Sequence, residues 1–373
     1  MLNPPLLLVS ALFFLALASV LYVGAWLLVT ALLRIFWGRI SHAAAKRVLV
    51  AGLVLPPLLA FLPTLSGATL RHIHHAAEAA SRQHHSGFCR QMFVQAFEVG
   101  GMGEHGAAGQ VVGALANVAA WLLIAVGLLL VFRLFLATLR LERGLAPYQS
   151  APSPRLARAL VRVGERLRGL PAHRFFECPI PSAYSSALGF WRPRCVLSRD
   201  FVASATDEEL DAIVAHEASH LRGGDVQATF LAGMLNCLFF YLRPVRLLGR
   251  RWREEAELAC DDQAVRVTRQ PLAMASAILR ASGVPVGGTG VGHRLPAVAL
   301  AFADEAACAP SKRVERLLAL AQQASPPATG DSVRGVVGWL ATAGLATFGA
   351  ALLLSDESAC FAHCSLEAIA RLL

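Results

Sequence analysis

The sequence predicts an α-helical polytopic membrane protein with four transmembrane helices and an α+β domain between the third and fourth. Three observations carry this. Hydrophobic residues make up 55% of the 373 and charged residues 16%, well on the apolar side of an ordinary globular chain. The apolar residues are blocked into four uncharged runs at 1–33, 48–70, 106–132 and 335–355. Between the third and fourth runs the texture becomes charged, periodic and punctuated by Pro and Gly, as a domain folded in water requires.

Each run can supply the roughly 20 apolar residues that cross a bilayer core. The first has no basic flank before it and is longer than a cleaved signal peptide, so it reads as a retained span. The second contains Pro56, Pro57 and Pro63, which predicts a kinked helix leaning on its neighbours. Arg34, Arg39, Lys46 and Arg47 fill the short first loop, Arg133, Arg140 and Arg143 follow the third run, and Arg334 precedes the fourth. By the positive-inside rule the first loop and the 138–333 domain are cytoplasmic, and both termini and the 71–105 loop face outward. The organisation is therefore 1–137 with three spans, 138–333 the domain, 334–355 the fourth span and 356–373 an outer tail. These topogenic arginines account for much of the net charge of +9, so the lipid bilayer is the partner it implies and no direct nucleic-acid binding is expected.

Within the domain, Leu156, Leu160, Val161 and Leu167 stand at helical spacing among arginines. That segment reads as an amphipathic helix packing on the domain or on the inner membrane surface. From 175 to 202 the pieces FFECPIP, AYSSALGFW and RCVLSRDFV read as short strands. Thr206 followed by Glu209 gives a capping-box start, and Leu210, Ile213, Val214 and Leu221 mark the buried face of the helix it opens.

That helix carries HEASH at 216–220. Positions i and i+4 share a helix face, so His216 and His220 can aim two imidazoles at one ion, with Glu217 placed as general base for the attacking water. Three protein ligands and one open position suit a catalytic zinc. The segment RWREEAELACDD offers the third ligand. Of its acids only Glu257 has an aspartate, Asp261, four residues on; one carboxylate can bind metal while the other holds a ligand histidine in its tautomer. The plain alternative is an acidic stripe on a solvated helix. The uncharged run 226–242 separates the two segments. A crossing there would put His220 and Glu257 on opposite membrane faces. A metal site therefore requires this run to form a buried or membrane-dipping helix that turns back, with Pro244 at its end.

HEASH, Asp225, the apolar run to Pro244 and EAELACDD, in this order, resemble the BlaR/MecR family of membrane zinc peptidases. GFWRPRCVLS at 189–198 is similar to the strand preceding that family's active-site helix, and the 37 residues from His220 to Glu257 match its layout. The resemblance implies a cytoplasmic α+β zincin-like (gluzincin) metallopeptidase domain in a bacterial inner-membrane protein. It implies one Zn2+ on His216, His220 and Glu257, Glu217 as general base, Asp261 behind the ligands, and a cytoplasmic protein substrate such as a DNA-binding repressor. Arg253 and Tyr241 are both open as oxyanion donors. The best-known members carry a penicillin-binding sensor after the last span; here SDESACFAHCSLEAIARLL follows, so direct β-lactam sensing through such a domain is not expected. A membrane quality-control or processing protease of the HtpX/CAAX type is the second reading, and a non-catalytic zinc-binding receptor or scaffold the third. Intact Glu217 speaks against the last.

His72, His74, His75, His84, His85 and His105 cluster with Cys89 in the outer loop, and the tail adds Cys360, His363 and Cys364. These donors suit an outer sensor for zinc, copper or nickel; a solvated polar loop is the alternative. Two of the three outer cysteines could pair. Cys178, Cys195, Cys237, Cys260 and Cys308 are expected as free thiols, with Cys237 and Cys260 as small packing groups. His42, His173 and His293 have no partner at ligand spacing and read as surface or packing residues.

Overall fold

The computed structural model describes residues 4–36, 40–65, 107–167, 169–179, 185–281 and 310–322. The fourth apolar run, the outer histidine cluster and Cys89, Cys308, Cys360 and Cys364 lie outside them.

Three long apolar helices come first: α1 (Pro4–Ile35), α2 (His42–Leu65) and α3 (Ala107–Leu145). Among the described residues, the stretches Leu17–Ile35, His42–Phe61 and Trp121–Gly144 are long and apolar enough to cross a membrane. Their surroundings differ. The α2 stretch is 56% buried and the α3 stretch 6%, so α2 is packed on by other elements while α3 presents Trp121, Leu128 and Phe132 outward. Helix α2 runs without interruption through Pro56, Pro57 and Pro63. Arg34 lies inside α1, and Lys46 and Arg47 lie inside α2. The basic residues expected to fill the first loop are therefore largely helical, because an alanine-rich stretch, HAAAK, starts α2 early. Helix α3 runs on past Phe132 to Leu145 and carries the chain into the domain, where Glu142 accepts a hydrogen bond from the Phe190 amide at 2.9 Å.

The domain packs a small sheet against helices. Helix α4 (Pro154–Arg166) is capped by Ser153 and buries Leu156, Ala159, Leu160 and Val163. Of the two alternatives for this arginine-rich helix, packing on the domain is the observed one: Arg162 forms a fork on Asp211 at 2.6–3.0 Å, and Arg155 donates to the Ala203 carbonyl at 2.7 Å. Strands β1 (Phe175–Cys178), β2 (Ser185–Leu188) and β3 (Arg194–Ser198) order as β1-β3-β2, with β1 parallel and β2 antiparallel to β3. The third strand stops earlier than expected. Ser198 accepts a hydrogen bond from the Phe201 amide and starts a short helix, α5 (Arg199–Ser204), instead.

Helix α6 (Asp207–Gly223) opens on the expected capping box, with Thr206 and Glu209 bonding reciprocally at 3.1 and 2.8 Å. It is the central helix of the domain and buries Leu210 through Ala218. Helix α7 (Asp225–Leu238) follows, then a four-residue turn, then α8 (Arg243–Thr268), α9 (Pro271–Ala281) and α10 (Pro310–Gln322).

The run 226–242 does not continue as a span. It forms α7 and the turn, and α8 brings the chain back. The tip of this hairpin is set among the membrane-type helices. Phe239 is fully buried with its ring 5.0 Å from Tyr22, and the Tyr241 hydroxyl is 3.5 Å from that of Ser19, both on α1. Apolar burial of this kind holds the hairpin there at about 25 cal/mol per Å2. Helix α8 belongs to two cores: Val245, Leu248, Trp252 and Ala256 pack with α1 and α2, whereas Ala264 packs with α4, α6 and α9.

Candidate metal centre

HEASH lies on the last two turns of α6, and EAELACDD on the middle of α8. These helices pack together. Ligand-type atoms of His216, His220 and Glu257 lie within 4.8 Å of one another. The two Nε2 atoms are 3.1 Å apart, and each is 3.6 Å from a Glu257 oxygen. Both rings turn Nε2 toward Glu257 and Nδ1 toward another carboxylate. His220 Nδ1 is 2.9 Å from Asp225 Oδ2, and His216 Nδ1 is 3.0 Å from Asp261 Oδ1. The second contact has the distance but not the alignment of a hydrogen bond as the rings stand.

The donor set fits a divalent metal of the zinc type. Two imidazoles and a carboxylate are its usual catalytic ligands, and a carboxylate behind each histidine fixes the tautomer that leaves Nε2 free to bind. Electrostatics agree. Burial opposes charge on His216 and His220. For His216 it is outweighed by Asp261 and Glu257, and for His220 by Cys260, Asp225 and Glu257, so both pKa values are raised. Burial pushes Glu257 up, but Arg313 and the two histidines hold it far below the usual carboxylate range. The pocket thus favours positive charge between these three side chains, which a proton or a metal cation can supply.

Glu217 is 4% exposed, and its Oε2 meets no hydrogen-bond partner among the described residues. The other approach to this carboxyl is made by Cys195 of β3, whose thiol pKa is driven well up by burial and by the Glu217 charge. A buried carboxylate oxygen calls for a hydrogen-bond donor, so Glu217 fits a site that also holds a polar ligand.

Several partners were not legible in the sequence. Arg313 of α10 forks onto Asp261 at 2.8 and 2.6 Å and reaches Glu257 at 2.7 Å. Arg316 pairs with Asp262 on the same two helices. Such pairings, 52 and 54 residues apart in sequence, leave no local pattern; the only hint was the amphipathic α10 itself. His42, read as a surface or packing residue, pairs with Glu255 at 2.5 Å. Cys260 is buried as expected, yet it also sits 3.4 Å from His220 Nδ1 and 3.6 Å from Asp225. Those three residues form a second donor cluster, but it shares His220 with the first and buttresses it. Tyr241 lies at the hairpin tip, two residues before α8 begins, and the helix from Arg243 to Glu257 is about 21 Å long at 1.5 Å per residue, which removes it as an oxyanion donor. Arg253 is one turn before Glu257 on the same face.

Gly224, between α6 and α7, has φ +68° and ψ 25°. The left-handed turn lets Asp225 fold back under His220 five residues earlier, at little cost for glycine alone.

A family model described as BlaR1 peptidase M56 matches residues 13–285, from within α1 to beyond the end of α9. Plastoglobule-localized metallopeptidase 48, chloroplastic, of Arabidopsis thaliana is 32% identical over 117 residues, which is 29% of this chain and 33% of that relative. The chain therefore spans about a third of the length of this relative.

Proposed function

The chain belongs to the BlaR1 peptidase M56 family, and from that membership we propose that it is an integral-membrane zinc endopeptidase that cleaves a cytoplasmic protein in a signalling role. One observation carries the catalytic part: His216, His220 and Glu257 converge within 4.8 Å beside a buried Glu217 oxygen that meets no partner among the described residues. A structural metal site has no use for that base.

In this reading His216, His220 and Glu257 hold the ion, and when bound it supplies Lewis acidity to a water molecule and to the scissile carbonyl. Asp261 and Asp225 keep the two imidazoles with Nε2 forward, and Arg313 keeps Glu257 and Asp261 ionised. Glu217 takes a proton from the attacking water and passes it to the leaving amine. Arg253 is the remaining candidate for the oxyanion. Strand β2 is at the end of the β1-β3-β2 order and packs beside α6, so an extended peptide can add along its outer edge.

The cytoplasmic assignment rests on charge. Arg34 stands at the end of α1, Lys46 and Arg47 at the start of α2, and Arg140 and Arg143 at the end of α3, and Lys46 reaches Asp225 beside the metal centre; the positive-inside rule assigns such ends to the cytoplasm of a bacterial inner membrane. A DNA-binding repressor is the substrate class that the family membership favours. The test compares cellular protein N-termini between wild type and Glu217→Ala at matched expression. A new terminus in a small DNA-binding protein, present only with wild type, is expected. Fragments drawn from many membrane proteins would replace signalling by quality control, and identical termini under every stress applied would refute the protease role.

A further inference from the structure

Asp225 uses its two oxygens differently. Oδ2 meets His220 Nδ1 at 2.9 Å, whereas Oδ1 is held at 2.5 Å by Lys46 Nζ. Lys46 is distant in sequence and comes from the second turn of α2, one of the helices apolar and long enough to cross the membrane. The pair is largely out of water, with side-chain exposures of 16% for Lys46 and 5% for Asp225. A buried carboxylate without its counter-charge is strongly unfavourable, so where Lys46 sits decides where Asp225 can sit.

A second feature, independent of the charges, makes room for this contact. A Cβ on Gly223 would lie 3.1 Å from Lys46 Nζ and 3.0 Å from Asp225 Oδ1. The ligand helix therefore ends on a bare α-carbon at the one place where the lysine crosses it. One turn earlier on α2, His42 grips Glu255, two residues before Glu257. Helix α2 thus touches the neighbours of two of the three ligands.

We propose that Lys46 is a positioning residue of the metal site: through Asp225 it fixes the ring of His220, which makes the membrane helix α2 part of the frame that sets metal affinity. The lysine suits this role as a compact point charge on a flexible stem that can reach one oxygen and leave the other to the histidine. This rests on the reading of His216, His220 and Glu257 as metal ligands.

The test uses the full chain in detergent, stripped of metal. It is titrated with Zn2+ against a chromophoric chelator and with Co2+ while the visible absorption is followed. Removing a partner behind a ligand histidine, here Asp225, weakens metal binding by about 10–100-fold; Lys46→Met, one contact further out, is expected to lose affinity toward the lower end of that range, about 10-fold, with an altered cobalt spectrum. Lys46→Arg restores the charge and should recover part of the affinity. Gly223→Ala leaves every ligand and charge in place and should shift affinity and spectrum in the same direction as Lys46→Met, which keeps the test decisive if Lys46→Met fails to fold. A purely structural lysine would lower thermal stability and leave the cobalt spectrum unchanged. Wild-type binding with the same affinity and spectrum in both Lys46→Met and Gly223→Ala would overturn the inference alone. A wild type that binds neither ion would overturn the metal-site reading itself.

Discussion

Replacing Arg313 by methionine removes the guanidinium that bridges Glu257 and Asp261. Asp261 is fully buried, Arg313 is 13% exposed, and Glu257 is 26% exposed. Deleting one member of a buried ion pair costs about 3–5 kcal/mol. The Asp261 half of that should be felt in full. The Glu257 half is softened by its partial exposure, and His216 beside Asp261 can take up some of the charge. About 3 kcal/mol is therefore expected, and at roughly 2–4 °C per kcal/mol for a folded unit of this size the midpoint should fall by about 6–12 °C. The assay is thermal unfolding of the metal-free full chain in detergent, followed by tryptophan fluorescence. Arg313→Lys keeps a charge but not the fork and should lie between the two. A double-mutant cycle isolates the contact: with Asp261→Asn already present, Arg313→Met should cost at least about 1 kcal/mol less than it does alone. A midpoint within about 2 °C of wild type, or simple additivity in the cycle, would refute the assignment of Arg313 as the organiser of these carboxylates.

Glu217→Gln should retain Zn2+ within a few-fold of wild type while peptidase turnover falls by roughly 100- to 10,000-fold; parallel loss of metal would show that Glu217 is a ligand. Glu209 gives a pH prediction away from the metal. Burial raises its pKa, but Ser276, the Thr206 amide and Arg280 outweigh this and lower it from 4.5. Its contribution to stability is then complete above the unfolded value and lost as pH falls through the lower folded one, so wild type should lose more thermal stability than Glu209→Gln between about pH 5 and 3.5. Gly224→Ala forces a Cβ into the left-handed turn and should cost about 1 kcal/mol, read as a shift in the unfolding midpoint.

The parts of this protein that were readable in sequence are those written in local periodicity. Apolar runs marked α1 to α3, the capping box marked the start of α6, and i,i+4 spacing placed His216 with His220 and Glu257 with Asp261. The demand that His220 and Glu257 share a site also anticipated that 226–242 turns back, because a span there would part them. What escaped the sequence depends on chain crossings that no window contains. Lys46 reaches Asp225 and His42 reaches Glu255 only because α2 packs on α8, and Arg313 arrives from a helix about 50 residues beyond Glu257. Cys260 was read as packing alone because a thiol on a helix carries no sign of which histidine it faces. The RDFV stretch was read as strand from its aromatic and β-branched residues, and a single serine cap reversed that.

Helix α8 has a consequence for the order in which this protein comes together. Ala256 is the last of its residues in the core shared with α1 and α2, and Glu257 is the next residue. The HEASH helix can form within the domain, but Glu257 is delivered to it by a helix whose first half is seated on the integrated membrane segments. During synthesis a chain that has not yet inserted would carry both histidines and the base, yet lack the third ligand in position. On the proposed reading, the ligand set is complete only once those segments are in place. The same dependence makes the excised domain a poor substitute for the whole protein, because cutting it away would strand Val245, Leu248 and Trp252 in water and release Glu257 from its place.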